Sequence, residues 1–227
     1  MATILQLETA TQVCSAALSK NGETIAVKEL QANNIHAGSL TLFIQEVMQM
    51  AGINYGDLDA IAVSKGPGSY TGLRIGVSTA KGLCFALDKP LIAVGTLPMM
   101  ASGFLNSEPD FQGLICPMID ARRMEVFTAV YNTELHAIEQ VTAKIIDAES
   151  FLAYLEKESI TFIGDGAAKC KSAITYPNAK FSNENFNSAS NMSTLAYGAF
   201  KKSEFEDVAY FEPFYLKDFV LTTPKAK

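Results

Sequence analysis

GPGSYTGLRIG, residues 66–76, is the stretch that says most about how this chain folds. It joins an apolar run at 59–64, predicted as a buried strand, to a segment at 71–87 whose apolar residues recur at helical spacing. A glycine-rich turn between a strand and a helix presents backbone N–H groups and the positive end of the helix, and such a site can hold phosphate. The same residues can instead be a purely structural turn, and both interpretations stay open at this point.

The turn matches neither of the common phosphate-binding motifs. Gly72 is followed by Leu73 and Arg74, whereas a Walker A loop has lysine and then serine or threonine. Thr71 stands where the dinucleotide motif GxGxxG has its third glycine. Nucleotide or anion binding is therefore a hypothesis, and its candidate residues, from this turn and from strand ends elsewhere, are Thr9, Thr11, Gly66, Gly68, Ser69 and Asp120.

The helix after the turn carries small residues along one side. Gly72 and Gly76, with Thr79 beyond them, are three or four residues apart and so share a stripe. A glycine inside a helix costs about 1 kcal/mol relative to alanine, which is easiest to understand where another backbone comes close. We interpret the stripe as room for a partner helix, with close packing inside the domain as the alternative.

The order of elements predicts an α/β protein in two lobes, residues 1–105 and 106–227. The first half shows three strands, with an Asn-Gly hairpin signal between the second and third, and then alternating helices and strands. A polar stretch at 103–111 separates the halves. The second half opens with two paired strands and is predicted to contain a helix at 148–158 with Asp147 as its N-cap.

Composition and charge limit the functions open to the chain. Its 227 residues include 18 basic and 24 acidic side chains, a net charge of −6. Because lysine and arginine neutralise the phosphates of nucleic acids, this balance argues against binding RNA alone, although a local basic patch stays open. The four cysteines are far apart and read as small buried residues of a reducing compartment. Without a leader segment or a membrane-length apolar run, we expect a cytoplasmic protein.

Residues that could carry catalysis are few. His36 begins a helical segment, but the position four residues on is Leu40, so the HxxxH pair that holds a metal cannot form there. Asp120 and Asp165 each end a strand, where a carboxylate can orient magnesium or simply stabilise a turn. We therefore predict no catalytic residue and no metal ligand.

Together these segments resemble the TsaB (YeaZ) family. The family hallmarks stand here as GPGSYTGLRIG, an opening turn ETAT at 8–11, a DAR turn at 120–122, a GDGA element at 164–167 and a closing PFYLK at 213–217. The resemblance thus covers essentially the whole chain. The opening turn departs from the usual Asp-Thr-Ser in having Glu8 and Ala10, which argues against a nucleotide between the lobes.

The resemblance implies the ASKHA (actin-like) fold, with two lobes that each contain a mixed sheet flanked by helices. It implies a part in making threonylcarbamoyladenosine beside the anticodon of tRNA, as a non-catalytic subunit that activates a TsaD-type catalytic paralogue. ATP and metal are then expected on partner subunits, among them a TsaE-type ATPase, and no cofactor on this chain. The tRNA is reached through the complex, no membrane is involved, and the chain alone is expected to form a homodimer.

Dimers of the family meet through their first two helices, which correspond to residues 37–51 and 71–87. The contact residues that this implies are His36, Leu40, Phe43, Val47, Thr71, Gly72, Ile75, Gly76, Thr79 and Leu83. Two other functions stay open. One is an autonomous ATP-binding phosphotransferase that uses the candidate nucleotide residues, and the other is a peptidase, for which the sequence shows neither a Ser/His/Asp pattern nor a metal pair.

Overall fold

A computed structural model describes residues 1–32 and 36–217, the side chains of 36 and 37 excepted. The strands of the first half are β1 (Thr3–Glu8), β2 (Val13–Lys20), β3 (Glu23–Gln31), β4 (Ala60–Gly66) and β5 (Leu91–Gly95), and its helices are α1 (His36–Ala51), α2 (Tyr70–Leu87) and α3 (Thr96–Ser107). The five strands form one sheet in the order β3-β2-β1-β4-β5. Strand β2 pairs antiparallel with both β1 and β3, and β4 and β5 run parallel to β1.

The hairpin between β2 and β3 lies where the sequence predicts it. Asn21 and Gly22 both have positive φ angles, 55° and 88°. A two-residue turn of this hand matches the twist of the strands that it joins, and asparagine and glycine are the residues that adopt it at least cost. The predicted three-strand meander is confirmed.

The second half repeats the first. Its strands are β6 (Leu114–Asp120), β7 (Glu125–Tyr131), β8 (Ala137–Ile145), β9 (Ile160–Ile163) and β10 (Ala179–Phe181), and its helices are α4 (Leu152–Leu155), α5 (Ala167–Cys170) and α6 (Ser193–Lys201). The sheet order, β8-β7-β6-β9-β10, reproduces that of the first sheet element by element. The prediction of two lobes, each with a mixed sheet flanked by helices, is confirmed.

The predicted helix at 148–158 is wrong in its length. The segment contains only the single turn α4, because Phe151 directly before it has a φ of 65° and interrupts any helix entering from the N-terminal side. Asp147 does not cap a helix. Its carboxylate accepts hydrogen bonds from the Ser150 hydroxyl and the Glu149 N–H, and so closes a turn.

Three apolar clusters hold the two sheets and their helices together. One lies between the first sheet and helices α1 and α2, and includes Leu7, Val47 and Val77. A second surrounds α3 and draws on both sheets. The third fills the other face of the second sheet around Phe162, which is fully buried. Because the cluster around α3 is shared, the two halves are packed into one body.

After β10 the chain returns to the first sheet. Gln6 of β1 donates a 2.9 Å hydrogen bond to the Ser193 hydroxyl at the start of α6, and the Glu206 N–H donates to the carbonyl of Leu91 in β5. Helix α6 therefore packs against the first sheet, although it lies in the second half of the sequence. The lobe boundary near residue 105 stays a prediction. In the parts of the chain described, no helix has the length and apolar character to cross a membrane.

Candidate functional site

The turn between β4 and α2 is fastened to the end of β1 by short hydrogen bonds. The N–H of Ser69 donates to the carbonyl of Ala10 at 2.6 Å, and the hydroxyl of Thr9 donates to the carbonyl of Gly72 at 2.8 Å. The Ser69 hydroxyl also caps α2 by accepting the Gly72 N–H. The two segments predicted to bind an anion, the β1–β2 turn and the start of α2, are therefore packed directly on each other.

This packing explains the glycines of the turn and of α2. A Cβ atom at Gly68 would overlap the carbonyl of Ala10, and one at Gly72 would overlap the carbonyl of Thr9. A Cβ at Gly76 would overlap the Thr9 hydroxyl. Both helical glycines are buried, which weighs against the interpretation of Gly72 and Gly76 as room for a partner helix, and their place in a partner interface stays a prediction. They serve the alternative, a close approach of the chain's own backbone.

The same contacts use backbone groups that an anion would need. The N–H groups of Ser69, Gly72 and Leu73 all donate within the protein. Gly66, with a φ of 108°, lies against the carbonyl of Phe214, which a Cβ there would approach to 2.8 Å. Nucleotide or anion binding by this turn stays a prediction, but the geometry weighs against it because the cradle is filled by protein.

Glu8, at the end of β1, is a fully buried carboxyl group. Its Oε1 accepts the N–H of Ala10, whereas Oε2 and the hydroxyl of Ser64 have no hydrogen-bond partner within the described residues. Burial raises the pKa of Glu8 to about 7, and the Ala10 N–H and the nearby Ser64 hydroxyl oppose that rise. A carboxyl that is partly neutral near pH 7 is a poor magnesium ligand.

Asp120 ends β6 among charged groups of the second half. Its carboxylate pairs with Lys169 and accepts the Arg122 N–H at 2.7 Å, and Asp165 accepts the Asp120 N–H at 3.0 Å. Burial acts to raise the pKa of Asp120, but Lys169 and the Arg122 N–H outweigh it and lower the pKa below its ordinary value. Between described residues, no hydrogen bond or ion pair joins Asp120 to the β1–β2 turn. The six nucleotide candidates thus lie in two groups, on different sheets.

Three residues of α1 that were predicted to contact a partner are buried. Leu40, Phe43 and Val47 lie between α1 and the first sheet, none more than 7% exposed. Their prediction as contact residues is untested, but the burial weighs against it, because the helical spacing that singles them out marks the face turned to the core. The side chain of His36 lies outside the described residues.

An exposed stripe runs along the side of α2 that faces away from the core. Its exposed members are Thr71, Ser78, Gly82 and Phe85, and Ile75, which is partly buried against the core, lies between them at its edge; at intervals of four and three residues, these five form what we call the α2 stripe. Phe85 is 87% exposed, and nothing lies within 4 Å of the position that a Cβ of Gly82 would occupy. Thr79 and Leu83, which were also predicted as contacts, are partly buried beside it.

Sequence reasoning missed Gly82 and Phe85, although a signal for them exists. The apolar residues Leu73, Val77 and Cys84 recur at helical spacing and so predict the face of α2 that is turned to the core. Positions on the opposite side of a helix of 3.6 residues per turn follow from that assignment. An aromatic residue and a glycine on that exposed side, here Phe85 and Gly82, indicate a surface for contact with another helix.

The described residues offer little for metal or hydrolytic chemistry. Within 1–32 and 36–217, no three His, Cys, Asp or Glu side chains converge as metal ligands would. His136 pairs with Glu134 at 3.2 Å, and both side chains are largely exposed. A histidine in this setting lacks the packed, oriented environment of a catalytic base.

Comparison with known proteins gives this fold a family. The model of the family described as TsaD, tRNA N6-adenosine threonylcarbamoyltransferase, matches residues 27–226. The tRNA threonylcarbamoyladenosine biosynthesis protein TsaB of Haemophilus influenzae is 29% identical over 95% of this chain and 94% of its own length. TsaB of Buchnera aphidicola subsp. Schizaphis graminum is 30% identical over 78% of this chain and 89% of its own length.

Solved structures agree. YeaZ from Pseudomonas aeruginosa has a TM-score of 0.83 at 27% identity, covering 95% of this chain and all of that one. The activator of 2-hydroxyisocaproyl-CoA dehydratase from Clostridium difficile, solved with bound ADPNP, has a TM-score of 0.54 at 10% identity over 89% of this chain and 97% of its own. That distant likeness shows the ASKHA fold alone. The sequence and fold relatives together place this chain in the TsaB (YeaZ) family of tRNA threonylcarbamoyladenosine biosynthesis proteins.

Proposed function

We propose that this chain is a non-catalytic subunit that binds and activates a TsaD-type threonylcarbamoyltransferase through the α2 stripe and the exposed side of α1. Phe85 carries the proposal. An aromatic side chain that is 87% exposed on a helix gains from burial by about 25 cal/mol per Å² of apolar surface, and aromatic residues are enriched at interfaces. Leu42 on α1, 55% exposed, adds to the apolar surface of the two helices.

Gly82 supports a helix–helix contact at the same place. Glycine in the middle of an exposed helix face lowers stability by about 1 kcal/mol relative to alanine. None of the described residues requires it, since none of them comes within 4 Å of its Cβ position. A partner helix that crosses α2 at Gly82 would account for the missing side chain, because the two backbones could then approach closely.

The catalytic chemistry is assigned in this proposal to the partner. ATP and metal would be held by the TsaD-type subunit and a TsaE-type ATPase, and the tRNA would be bound by the complex. The buried Glu8 and the filled turn at Ser69 support this division, because they leave the chain without an open phosphate cradle at its β1–β2 turn. When no partner is present, two copies are expected to pair through the same helices.

The experiment replaces Gly82 by arginine and measures co-elution with the TsaD-type paralogue of the same organism in gel filtration. We expect Gly82→Arg to abolish co-elution. The variant chain should remain folded, since arginine favours a helix over glycine by up to about 1 kcal/mol. The matched control is Gly198→Arg on α6, where a glycine also has nothing within 4 Å of its Cβ position.

The two outcomes separate assembly from folding. Loss of the complex with Gly82→Arg and its retention with Gly198→Arg support the proposal, together with loss of threonylcarbamoyl transfer to tRNA by the mixed subunits. Retention of the complex by both variants, or failure of the unaltered chain to co-elute, would overturn it. Replacement of Gly76 is not a usable test, because a Cβ there overlaps Thr9 inside the chain.

A further inference from the structure

Two arginines stand together at the tip of the β6–β7 hairpin. Arg122 and Arg123 are two of only three arginines in the sequence, and both are exposed. The third, Arg74, is engaged: its guanidinium lies 4.1 Å from the centroid of the Tyr70 ring, and its Nε donates to the Tyr215 hydroxyl. Inside the described ranges, the side chains of Arg122 and Arg123 make no hydrogen bond or ion pair. Each therefore keeps five N–H donors.

The backbone holds both arginines in an uncommon conformation. Their φ angles are 71° and 49°, in the left-handed region. This region costs a residue other than glycine on the order of 1 kcal/mol, and asparagine, aspartate and glycine are its usual occupants. The turn is closed by the Glu125 N–H, which donates to the carbonyl of Arg122 at 3.1 Å. Local turn chemistry alone would not select two arginines here, which leaves their side chains as the reason.

The carboxylates around the tip are largely taken by other partners. Asp120 pairs with Lys169, and Glu125 pairs with Lys217. Asp165 accepts the N–H of Asp120. With two of these three carboxylates paired by lysines, the two guanidinium groups keep their hydrogen-bond donors free of partners among the described residues, although the charge of Arg122 also acts on Asp120.

A hollow of about 520 Å³ lies beside the arginines. Its lining combines the two arginines with apolar side chains and one carboxylate, that of Glu125, which Lys217 pairs; the lining residues are Ala121, Arg122, Arg123, Met124, Glu125 and Ile145. Ile145, on the edge strand β8, is 72% exposed. A lining with two guanidinium groups next to apolar side chains fits a phosphate that carries an organic group better than it fits a small inorganic anion, because the apolar side chains can receive a sugar or a base.

We infer that Arg122 and Arg123 form a site for the phosphates of the tRNA backbone. The inference rests on the proposed function, in which the complex acts on tRNA. Guanidinium groups bind phosphate oxygens in pairs, and an exposed hairpin tip can reach an extended polyanion. A free nucleotide would instead need a closed pocket and a carboxylate free to orient magnesium, and Asp120 is held by Lys169. Because the chain as a whole carries a net charge of −6, a contact with RNA depends on local groups of cations such as this pair.

The test uses Arg122→Asn/Arg123→Asn, because asparagine adopts left-handed φ angles more readily than arginine and should preserve the turn. Binding of a fluorescently labelled, unmodified tRNA transcript is measured by anisotropy from 50 to 200 mM salt, for the chain alone and in complex with its paralogue. The charge-matched control is Lys201→Ala/Lys202→Ala, an adjacent exposed pair formed by the last residue of α6 and the residue after it. Arg122→Lys/Arg123→Lys keeps the charge but not the planar fork.

We expect the asparagine variant to lose about tenfold or more in affinity at low salt. The slope of log K against log salt should become shallower by about 1 to 2, the release of one or two phosphate contacts. The lysine variant should keep the slope, and the Lys201/Lys202 control should keep both quantities. Unchanged affinity and slope in the asparagine variant, or an equal loss in the control, would overturn the inference.

Two further readings separate this inference from its alternatives. Magnesium-ATP and inorganic pyrophosphate are added at constant ionic strength, with sodium chloride of the same ionic strength as the reference. Neither compound should displace more of the labelled transcript than the sodium chloride does. Displacement by ATP together with direct ATP binding that requires both arginines would overturn RNA as the ligand. Co-elution with the paralogue is scored independently. Its loss in the unaltered chain contradicts the proposed function, whereas normal co-elution with unchanged tRNA binding contradicts the arginine site alone.

Discussion

The hydroxyl of Thr9 donates a 2.8 Å hydrogen bond to the carbonyl of Gly72, and this contact joins the first strand of the chain to its second helix. The carbonyl and side chain of Thr9 also occupy the space that side chains at Gly72 and Gly76 would fill. The family segment GPGSYTGLRIG is thus a device for packing α2 onto the β1–β2 turn. The packing leaves the other side of α2 exposed, and this side, with Gly82 and Phe85, is where we propose that the partner binds.

Alanine at the two buried helical glycines should destabilise the chain. Overpacking of a dense core costs about 1–3 kcal/mol, and we expect Gly76→Ala to fall in this range. Gly72→Ala should cost more than Gly76→Ala, because the obstacle at Gly72 is the Thr9 backbone rather than a side chain. Gly82→Ala, in open space on the same helix, should raise stability by up to about 1 kcal/mol. Urea unfolding measures all three, and equal effects at Gly76 and Gly82 would contradict the packing.

Removing the Thr9 hydroxyl should rescue one glycine variant and not the other. The Cβ of Gly76→Ala meets the Thr9 hydroxyl, so Thr9→Ala opens room for it. The Cβ of Gly72→Ala meets the Thr9 carbonyl, which Thr9→Ala leaves in place. In a double-mutant cycle we therefore expect a coupling of about 1 kcal/mol for the Thr9/Gly76 pair and a much smaller one for Thr9/Gly72. Coupling of the same size in both cycles would show that the hydroxyl is not the obstacle.

Much of the fold is predictable because its signals are local. Asn21-Gly22 marks a hairpin through its own backbone preferences, and apolar spacing finds α1 and α2 whatever they pack against. The repeat of one element order in both halves follows from the same signals. The predicted helix at 148–158 fails for the opposite reason. Its apolar residues have helical spacing, but the left-handed Phe151 is set by burial against Phe162, a contact that spacing does not record.

The candidate site depends on contacts between distant residues, and there the sequence is ambiguous. A helical wheel shows that Gly72 and Gly76 share a face, but not whether that face meets a partner or the chain's own β1–β2 turn. Burial of Glu8 depends on the elements that cover β1, among them the 3-10 turn Ala189–Met192. What could have been predicted is the exposed side of α2, since the core positions determine it.

Ionisation of Glu8 should make stability depend on pH. The pKa of this carboxyl is about 7 in the folded chain against 4.5 ordinarily, so between these values the folded state binds a proton that the unfolded state has released. The contribution of Glu8 to the free energy of unfolding is therefore fully present below pH 4.5 and is lost as the pH rises through 7. At 1.36 kcal/mol per pKa unit the loss is on the order of 3 kcal/mol.

Glu8→Gln should remove this dependence. We expect the variant to match the original chain in urea unfolding at pH 5 and to be more stable at pH 8. Glu184→Gln, at an exposed position, serves as the control and should run parallel to the original chain. If Glu8→Gln is equally destabilised at both pH values, the carboxyl is needed in its charged form and the argument for a partly neutral Glu8 is lost.

The four free cysteines should be inert in the folded protein. All are buried, and burial raises the pKa of the Cys14 thiol to about 11 and those of Cys84 and Cys116 to about 12. Because the thiolate is the reactive form, little of it exists at pH 8. A thiol reagent such as DTNB should therefore label four groups rapidly in guanidinium and almost none without it. Lys157→Cys, at an exposed site, should add one fast group, and a fast group without it would show that a thiol is accessible.

Lys81 should hold the C-terminal segment 206–217 on α2. Its ammonium donates to the carbonyls of Ala209 and Phe211 at 3.1 and 3.0 Å, and nearby the Phe214 N–H donates to the carbonyl of Lys65. Hydrogen bonds to a charged group contribute about 1.5–3 kcal/mol to stability when they are shielded from water. Because the Lys81 side chain is partly exposed, we expect Lys81→Met to lower the free energy of unfolding by about 1 kcal/mol. We expect faster hydrogen exchange in the segment, measured by mass spectrometry, before any change in α2.

The matched control for this variant is Lys28→Met. Lys28 pairs with Glu46 at 2.8 Å, and each side chain is more than 40% exposed, so its removal should cost no more than about 0.5 kcal/mol and leave exchange in 206–217 unchanged. Faster exchange in both variants would point to a general loss of stability. Unchanged exchange with Lys81→Met would show that the contacts of Phe211 and Phe214, rather than the ammonium, keep the segment in place, because these contacts persist when the charge is gone.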